Sequence, residues 1–238
     1  MNRIDTLKVK IFADGADLAG MLNMASKTFV KGLTTNPTLM CKAGIKNYKS
    51  FAIEILSEIT SKPISFEVFS DHFEEMERQA LEIASWGENV YVKIPIMNTK
   101  REYSLPLIEK LSGQKVKLNV TALMTVDQVR SVVEIIDKST LSYISVFAGR
   151  VADTGRDPVP LMRAAVELLK KNPNAELIWA SPRELWNIFQ ADQIGCDIIT
   201  VSNDVLGKIN LIDKNLEDFS LETVKMFYDD ACRAGYEI

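Results

Sequence analysis

Apolar and polar positions along this chain alternate at two different periods. Short runs rich in β-branched and aromatic residues fall at 9–13, 32–35, 64–68, 90–94, 117–121, 143–147, 177–180 and 198–201 and predict strands. Between them apolar residues recur at helical spacing. In the stretch 126–136, for example, Val126, Val129, Val132, Val133 and Ile136 line one helix face. Eight strands alternating with helices, without a Gly/Ser linker or a break in composition, predict one single-domain (β/α)8 TIM barrel over residues 1–238. A doubly wound open sheet is the alternative, but it usually has fewer strands and a Gly-rich first turn. The stretch 221–234 predicts an extra C-terminal helix, packed on its own barrel or on a neighbour.

Successive strand residues face opposite sides, so the barrel reading makes a claim about phase. Ile11 and Ala13 oppose Phe12 and Asp14; Leu33 and Thr35 oppose Thr34 and Asn36; Phe66 and Val68 oppose Ser65 and Glu67. Val92 and Ile94 oppose Lys93; Leu118 and Val120 oppose Asn119 and Thr121; Ile144 and Val146 oppose Ser145 and Phe147. Six consecutive strands thereby aim Asp14, Asn36, Glu67, Lys93, Thr121 and Ser145 at one mouth. Barrel active sites lie at that C-terminal rim.

Composition narrows the chemistry. With 47% apolar and 25% charged residues the chain is ordinary globular material, and its net charge of −4 offers no basic stripe for nucleic acid. No apolar run approaches the ~18 residues of a membrane span, and the N-terminus does not read as a signal peptide. Cys41, Cys196 and Cys232 have unrelated spacings, which predicts neither a disulfide framework nor a metal cluster and suits a reducing cytoplasm. The only histidine, His72, lies between Asp71 and Glu74 at capping-box spacing and reads as a first-turn helix residue. A Ser-His-Asp triad, a His-rich metal site and a Gly-rich phosphate loop are therefore not expected.

What remains is lysine chemistry. Lys93 stands in the run Asn89-Val90-Tyr91-Val92-Lys93-Ile94-Pro95, where an ammonium is out of place unless something pairs with it or uses it. Desolvation disfavours a charged lysine, and a neutral amine is a Schiff-base nucleophile. A second feature follows the seventh strand, where Ser181 as N-cap, Pro182 at the first helical position and Glu184 at the third predict a helix start. A helix N-terminus bearing a hydroxyl and the Arg183 guanidinium, with Arg150 in reach from the sixth unit, is a phosphate site.

These residues resemble the transaldolases, in particular the small single-barrel branch that includes fructose-6-phosphate aldolases. Thr34-Thr35-Asn36-Pro37-Thr38 is similar to the family's T-[ST]-N-P-[ST], and Val92-Lys93-Ile94-Pro95 to its V-K-[IV]-P. Asn119-Val120-Thr121, the run Ile144-Ser145-Val146-Phe147-Ala148-Gly149-Arg150 and Ala180-Ser181-Pro182-Arg183 resemble three further blocks in order. The resemblance implies Lys93 as Schiff-base nucleophile, Asp14 as the acid/base at the C4 hydroxyl, and Glu67 with Thr121 moving protons through a water. It implies that Thr34, Asn36, Asn119, Ser145 and Phe147 meet the dihydroxyacetone unit, while Arg150, Ser181 and Arg183 take the phosphate. It further implies sugar phosphate substrates such as fructose 6-phosphate or sedoheptulose 7-phosphate, no cofactor, no metal, no nucleic-acid or membrane partner, and a homo-oligomer. The setting it implies is cytoplasmic carbohydrate metabolism of the pentose phosphate pathway.

The chain departs from the family pattern at Gly15, where a hydroxyl residue is usual, at Leu123-Met124-Thr125, and at Pro182 in place of Phe. A transaldolase is the first reading, an aldolase releasing free dihydroxyacetone the second, and a non-catalytic barrel the third. Glu67 with Phe147 favours transfer, because the aldolase branch carries Gln and Tyr there.

Overall fold

A computed structural model describes residues 3–237. Within them the chain folds as β1 (Lys10–Asp14), α1 (Leu18–Ala25), β2 (Val30–Thr34), α2 (Pro37–Lys42), α3 (Tyr48–Glu58), β3 (Ile64–Glu67), α4 (Phe73–Ala84) and β4 (Val90–Pro95). It continues as α5 (Leu105–Gly113), β5 (Leu118–Leu123), α6 (Val126–Ile135), β6 (Ser142–Val146), α7 (Ala148–Ala152), α8 (Val159–Leu169), β7 (Ala175–Trp179) and α9 (Trp186–Gln193). The last elements are β8 (Ile198–Ser202), α10 (Asn203–Leu206) and α11 (Leu216–Ala234). All eight strands are parallel and hydrogen-bonded in chain order, and β8 closes on β1 to complete a (β/α)8 TIM barrel. Residues 1, 2 and 238 of the expected 1–238 domain lie outside the described residues.

The two-residue period of each strand separates two cores. Outward residues such as Leu33, Phe66, Val92, Ile94, Leu118, Val120, Ile144 and Val146 are fully buried against the helices. Inward residues form a second cluster of Phe12, Tyr91, Tyr143, Ile178, Ala180 and Ile198, with Phe147 packed on it. Tyr91 and Tyr143 stack with ring centroids 4.0 Å apart, and the Phe12 ring meets Tyr143 edge-on at 5.7 Å. Offset and edge contacts of this kind add to area burial. The plug closes the lower half of the lumen. Two residues further along the same strands the lumen turns polar: Phe12 gives way to Asp14, Tyr91 to Lys93, Tyr143 to Ser145 and Ile198 to Thr200.

Two irregularities shape the mouth. The β5–β6 register slips between Val120 and Leu123, and Ala122 there has φ 65°. Such a bulge re-aims side chains, and here it lies directly after Thr121. The second is a close approach: a Cβ on Gly149 would lie 1.5 Å from the carbonyl oxygen of Ser181. Only glycine lets the start of α7 touch the loop after β7, which brings Arg150 and Ser181 to one side of the mouth.

Three expectations need correction. The segment 181–184 does not start a helix: Ser181 is left-handed at φ 60°, and α9 begins only at Trp186. The αR region is disfavoured before Pro182, and the loop is instead tied by Asn187, whose Oδ1 accepts the backbone N–H groups of Arg183 and Glu184 at 2.8 and 3.1 Å. His72 is itself the N-cap of α4. Asp71 does not cap that helix, because its carboxylate accepts the N–H and hydroxyl of Thr99 at 2.8 and 2.7 Å. The C-terminal helix starts at Leu216 rather than 221, where Asn215 accepts from the N–H groups of Glu217 and Asp218, and it ends at Gly235 with φ 67°. No residue of α11 is buried, and Phe227 and Tyr228 are 62% and 70% exposed, so it does not pack on its own barrel.

Gly149→Ala is expected to cost about 3 kcal/mol, since the added methyl meets backbone that cannot swing away. Urea unfolding measures this, and an unchanged midpoint would contradict the close approach.

Candidate active site

The mouth encloses a cavity of about 500 Å³ whose walls include Asp14, Thr34, Asn36, Glu67, Lys93, Asn119, Thr121, Ser145, Phe147, Arg150, Ser181 and Arg183. Every residue that the sequence nominated for the site therefore meets in one cavity. Lys93 is 5% exposed at its floor. Its Nζ donates to the Thr35 carbonyl oxygen at 2.8 Å and pairs with Glu67 Oε2 at 3.0 Å. Direct pairing of Glu67 with Lys93 across β3 and β4 produces this contact. One hydrogen bond to a carbonyl and one ion pair to a carboxylate thus hold the Lys93 nitrogen at the floor of the cavity.

Asp14 is held from the other side of the lumen. Thr34 donates its hydroxyl to Asp14 Oδ1 at 2.7 Å and is itself hydrogen-bonded to the Thr200 hydroxyl. A hydroxyl has one proton, so Thr200 is the donor to Thr34, and a relay runs from β8 through β2 to β1. Burial pushes the Asp14 carboxyl above the usual aspartate range, against the pull of Lys93 and of the Thr34 hydrogen bond. A carboxylate raised in this way is a better proton acceptor. The hydroxyl missing at Gly15 is thus not needed to hold Asp14, because Thr34 does so.

A third network lies beside Lys93. Ser145 donates to Asn119 Oδ1 at 2.7 Å, and Asn119 Nδ2 donates to Ser65 Oγ at 3.0 Å. These bonds fix the amide orientation and leave the lone pairs of Ser145 toward the cavity. The Thr121 hydroxyl is buried without a protein partner. Asn36 spends its Oδ1 capping α2 at Leu39 N, 3.0 Å away, which leaves its amide NH2 as a donor.

The arginines differ from each other. Arg150 is exposed and carries no side-chain hydrogen bond among the described residues. Arg183 is engaged: its Nε donates to Asp153 Oδ1 at 2.9 Å, and its second nitrogen pairs with Oδ2. The guanidinium holds the Asp153 carboxyl below the ordinary aspartate range. Sequence reading did not single out Thr200 or Asp153. Thr200 was findable by extending the strand phase to β8, two residues beyond the lumen residue Ile198. Asp153, in the turn after α7, carries no periodic signal.

Residues 11–237 match the profile of the Transaldolase/Fructose-6-phosphate aldolase family. The chain belongs to this family. It is 31% identical over 218 residues to a probable transaldolase of Herpetosiphon aurantiacus, covering 90% of this chain and 94% of the relative. It is 34% identical over 216 residues to a probable transaldolase of Lactiplantibacillus plantarum, covering 89% and 95%. Among solved structures, KGPDC from Streptococcus mutans superposes with a TM-score of 0.57 over 84% of this chain and 89% of that one, at 9% identity. That likeness shows the barrel fold alone.

The raised Asp14 carboxyl sets a pH dependence. Between the ordinary aspartate range and the raised folded value, the folded protein holds a proton on Asp14 that the unfolded chain has released. This contribution to stability is fully present below the ordinary aspartate range and is lost as pH rises through the raised folded value. Asp14→Asn, uncharged at every pH, is therefore expected to be more stable than wild type at neutral pH and to lose that advantage in acid. Thermal melts across pH test this, and a variant less stable than wild type at neutrality would contradict it.

Proposed function

We propose that this family member is a transaldolase: it moves a dihydroxyacetone unit from a ketose phosphate to an aldose phosphate through an imine on Lys93. The observation that carries this reading is the buried amine between Glu67 and the Thr35 carbonyl, facing Asp14 across one cavity. Lys93 attacks the C2 ketone of fructose 6-phosphate, and loss of water from the carbinolamine gives the imine. Glu67 serves the proton transfers of this stage through a water that the Thr121 hydroxyl helps to hold. Asp14 takes the C4-hydroxyl proton, the C3–C4 bond breaks, and its electron pair passes into the imine to form an enamine. The aldose phosphate leaves, an acceptor aldose phosphate enters, and the same steps run in reverse. Thr34, Asn36, Asn119 and Ser145, which line the same cavity, would hold the hydroxyls of the dihydroxyacetone unit, and the reaction needs no cofactor or metal.

Transfer is favoured over release by Phe147. An aldolase must protonate the enamine and hydrolyse it, whereas a transferase must hold it until the acceptor arrives. The apolar Phe147 ring offers no proton beside the mouth. Turnover of fructose 6-phosphate should therefore depend on added erythrose 4-phosphate. Free dihydroxyacetone formed at a rate matching transfer would establish the aldolase alternative instead.

Arg150, Ser181 and Arg183 are proposed to grip the distal phosphate, with Asp153 holding the Arg183 fork in place until the anion competes for it. A charge-assisted hydrogen bond contributes roughly 1.5–3 kcal/mol, so Arg183→Ala should reduce kcat/KM for phosphorylated acceptors by about 10- to 150-fold. Unphosphorylated acceptors should be little affected. Equal loss on both kinds of acceptor would remove Arg183 from the phosphate site.

We also assign α11 to a homo-oligomer contact, since it buries no residue and leaves Leu221, Val224, Phe227 and Tyr228 exposed. Light scattering is expected to give a mass above the 26.7 kDa of one chain. Phe227→Glu should lower it, and a monomeric wild type would contradict the assignment. A cytoplasmic setting accords with this chemistry and with the free Cys41, Cys196 and Cys232.

A further inference from the structure

The pairing of β2 with β3 is short. It runs only from Leu33 opposite Ile64 to Thr34 opposite Ser65, followed by one more bond from Thr35 N to Ser65 O at 3.2 Å. Beyond this the chain turns away, because Asn36 leaves the sheet to cap α2. Along β3 the backbone groups of Ile64 and Val68 face β4, as their bonds to Asn89 and Lys93 show, so those of Glu67 face the side that β2 has vacated. An unpaired backbone N–H and carbonyl at this point would cost stability and leave the last residue of the strand free to shift.

Tyr48 fills the gap. Its hydroxyl accepts the Glu67 N–H at 2.8 Å and donates to the Glu67 carbonyl oxygen at 2.9 Å. One phenol thus serves both backbone groups that a strand residue of β2 would have served. The ring is clamped against Phe66, Phe69 and Trp86 at centroid distances of 6.3, 5.5 and 5.9 Å. Burial keeps the phenol protonated well above its ordinary range, so the donor to the carbonyl persists at every working pH. Glu67 and Lys93 are in turn paired at 3.0 Å.

We propose that Tyr48 is a positioning residue for the reaction, acting through Glu67: its hydroxyl substitutes for the missing strand neighbour and fixes the carboxylate at the distance from which it serves the Lys93 amine. This rests on the reading of Lys93 as the imine-forming residue and extends it to a side chain outside the cavity wall. Nothing in the local sequence pattern marks Tyr48, the first residue of α3, for such a role.

The test is Tyr48→Phe, which keeps the ring and its packing and removes only the oxygen. Imine formation with fructose 6-phosphate is followed by borohydride quenching at timed intervals, normalised to the sites that finally trap, so that any misfolded fraction cancels. Loss of the two hydrogen bonds to the Glu67 backbone is expected to lower the rate of imine formation by roughly 5- to 150-fold, with KM nearly unchanged. The same substitution is then made in Glu67→Gln. If Tyr48 acts through the carboxylate, it should cost less than about two-fold there, whereas a general structural injury multiplies the loss equally in both backgrounds. Equal losses in the two backgrounds, or an unchanged rate in Tyr48→Phe, would overturn the proposal. A wild type that traps no adduct would instead overturn the imine reading on which it rests.

Discussion

The ion pair between Lys93 and the part-buried Glu67 organises this molecule. Lys93 sits at the floor of the mouth at 5% exposure, tied to the Glu67 carboxylate at 3.0 Å and to the Thr35 carbonyl at 2.8 Å. Removing one partner of such a pair typically costs 3–5 kcal/mol, because the other charge is left buried alone. The fold accepts that risk and spends much of its upper lumen guarding it. Register fixes Glu67 opposite Lys93, and the Thr200–Thr34–Asp14 relay and the Ser145–Asn119–Ser65 chain hold the surrounding polar groups.

The same two-residue period builds both the support and the site. On one set of positions the strands seal against the helices. On the other set the lower residues form an aromatic plug and the next ones upward form the polar floor of the cavity. A slip of one residue would exchange the two sets and place lysine against the helices. The aromatic plug also separates the charges above it from the Lys10–Glu176 pair at the lower end of the barrel, so water screens them chiefly through the mouth.

This period explains how much was legible. Phase alone located the strands to within one or two residues and grouped Asp14, Glu67, Lys93, Thr121 and Ser145, because each side chain's direction follows from its position in a strand. Irregular backbone was not legible in this way. The left-handed Ser181 and the late start of α9 depend on how Pro182, Asn187 and Gly149 fit together in space, although the letters Ser-Pro-Arg-Glu read locally as a capped helix. Asp71 was drawn away from its helix by Thr99, 28 residues along the chain. Asp153 and Tyr48 act through contacts that no periodicity encodes, the first by pairing with Arg183 and the second by completing an interrupted sheet edge.

The proposed transfer chemistry depends on the amine of Lys93 as the reacting group. The most direct measurement is peptide mapping after borohydride reduction of the protein mixed with fructose 6-phosphate. A dihydroxyacetone-derived adduct is expected on the peptide containing Lys93 and on no other lysine. An adduct elsewhere, or none while sugar phosphate is still turned over, would contradict it.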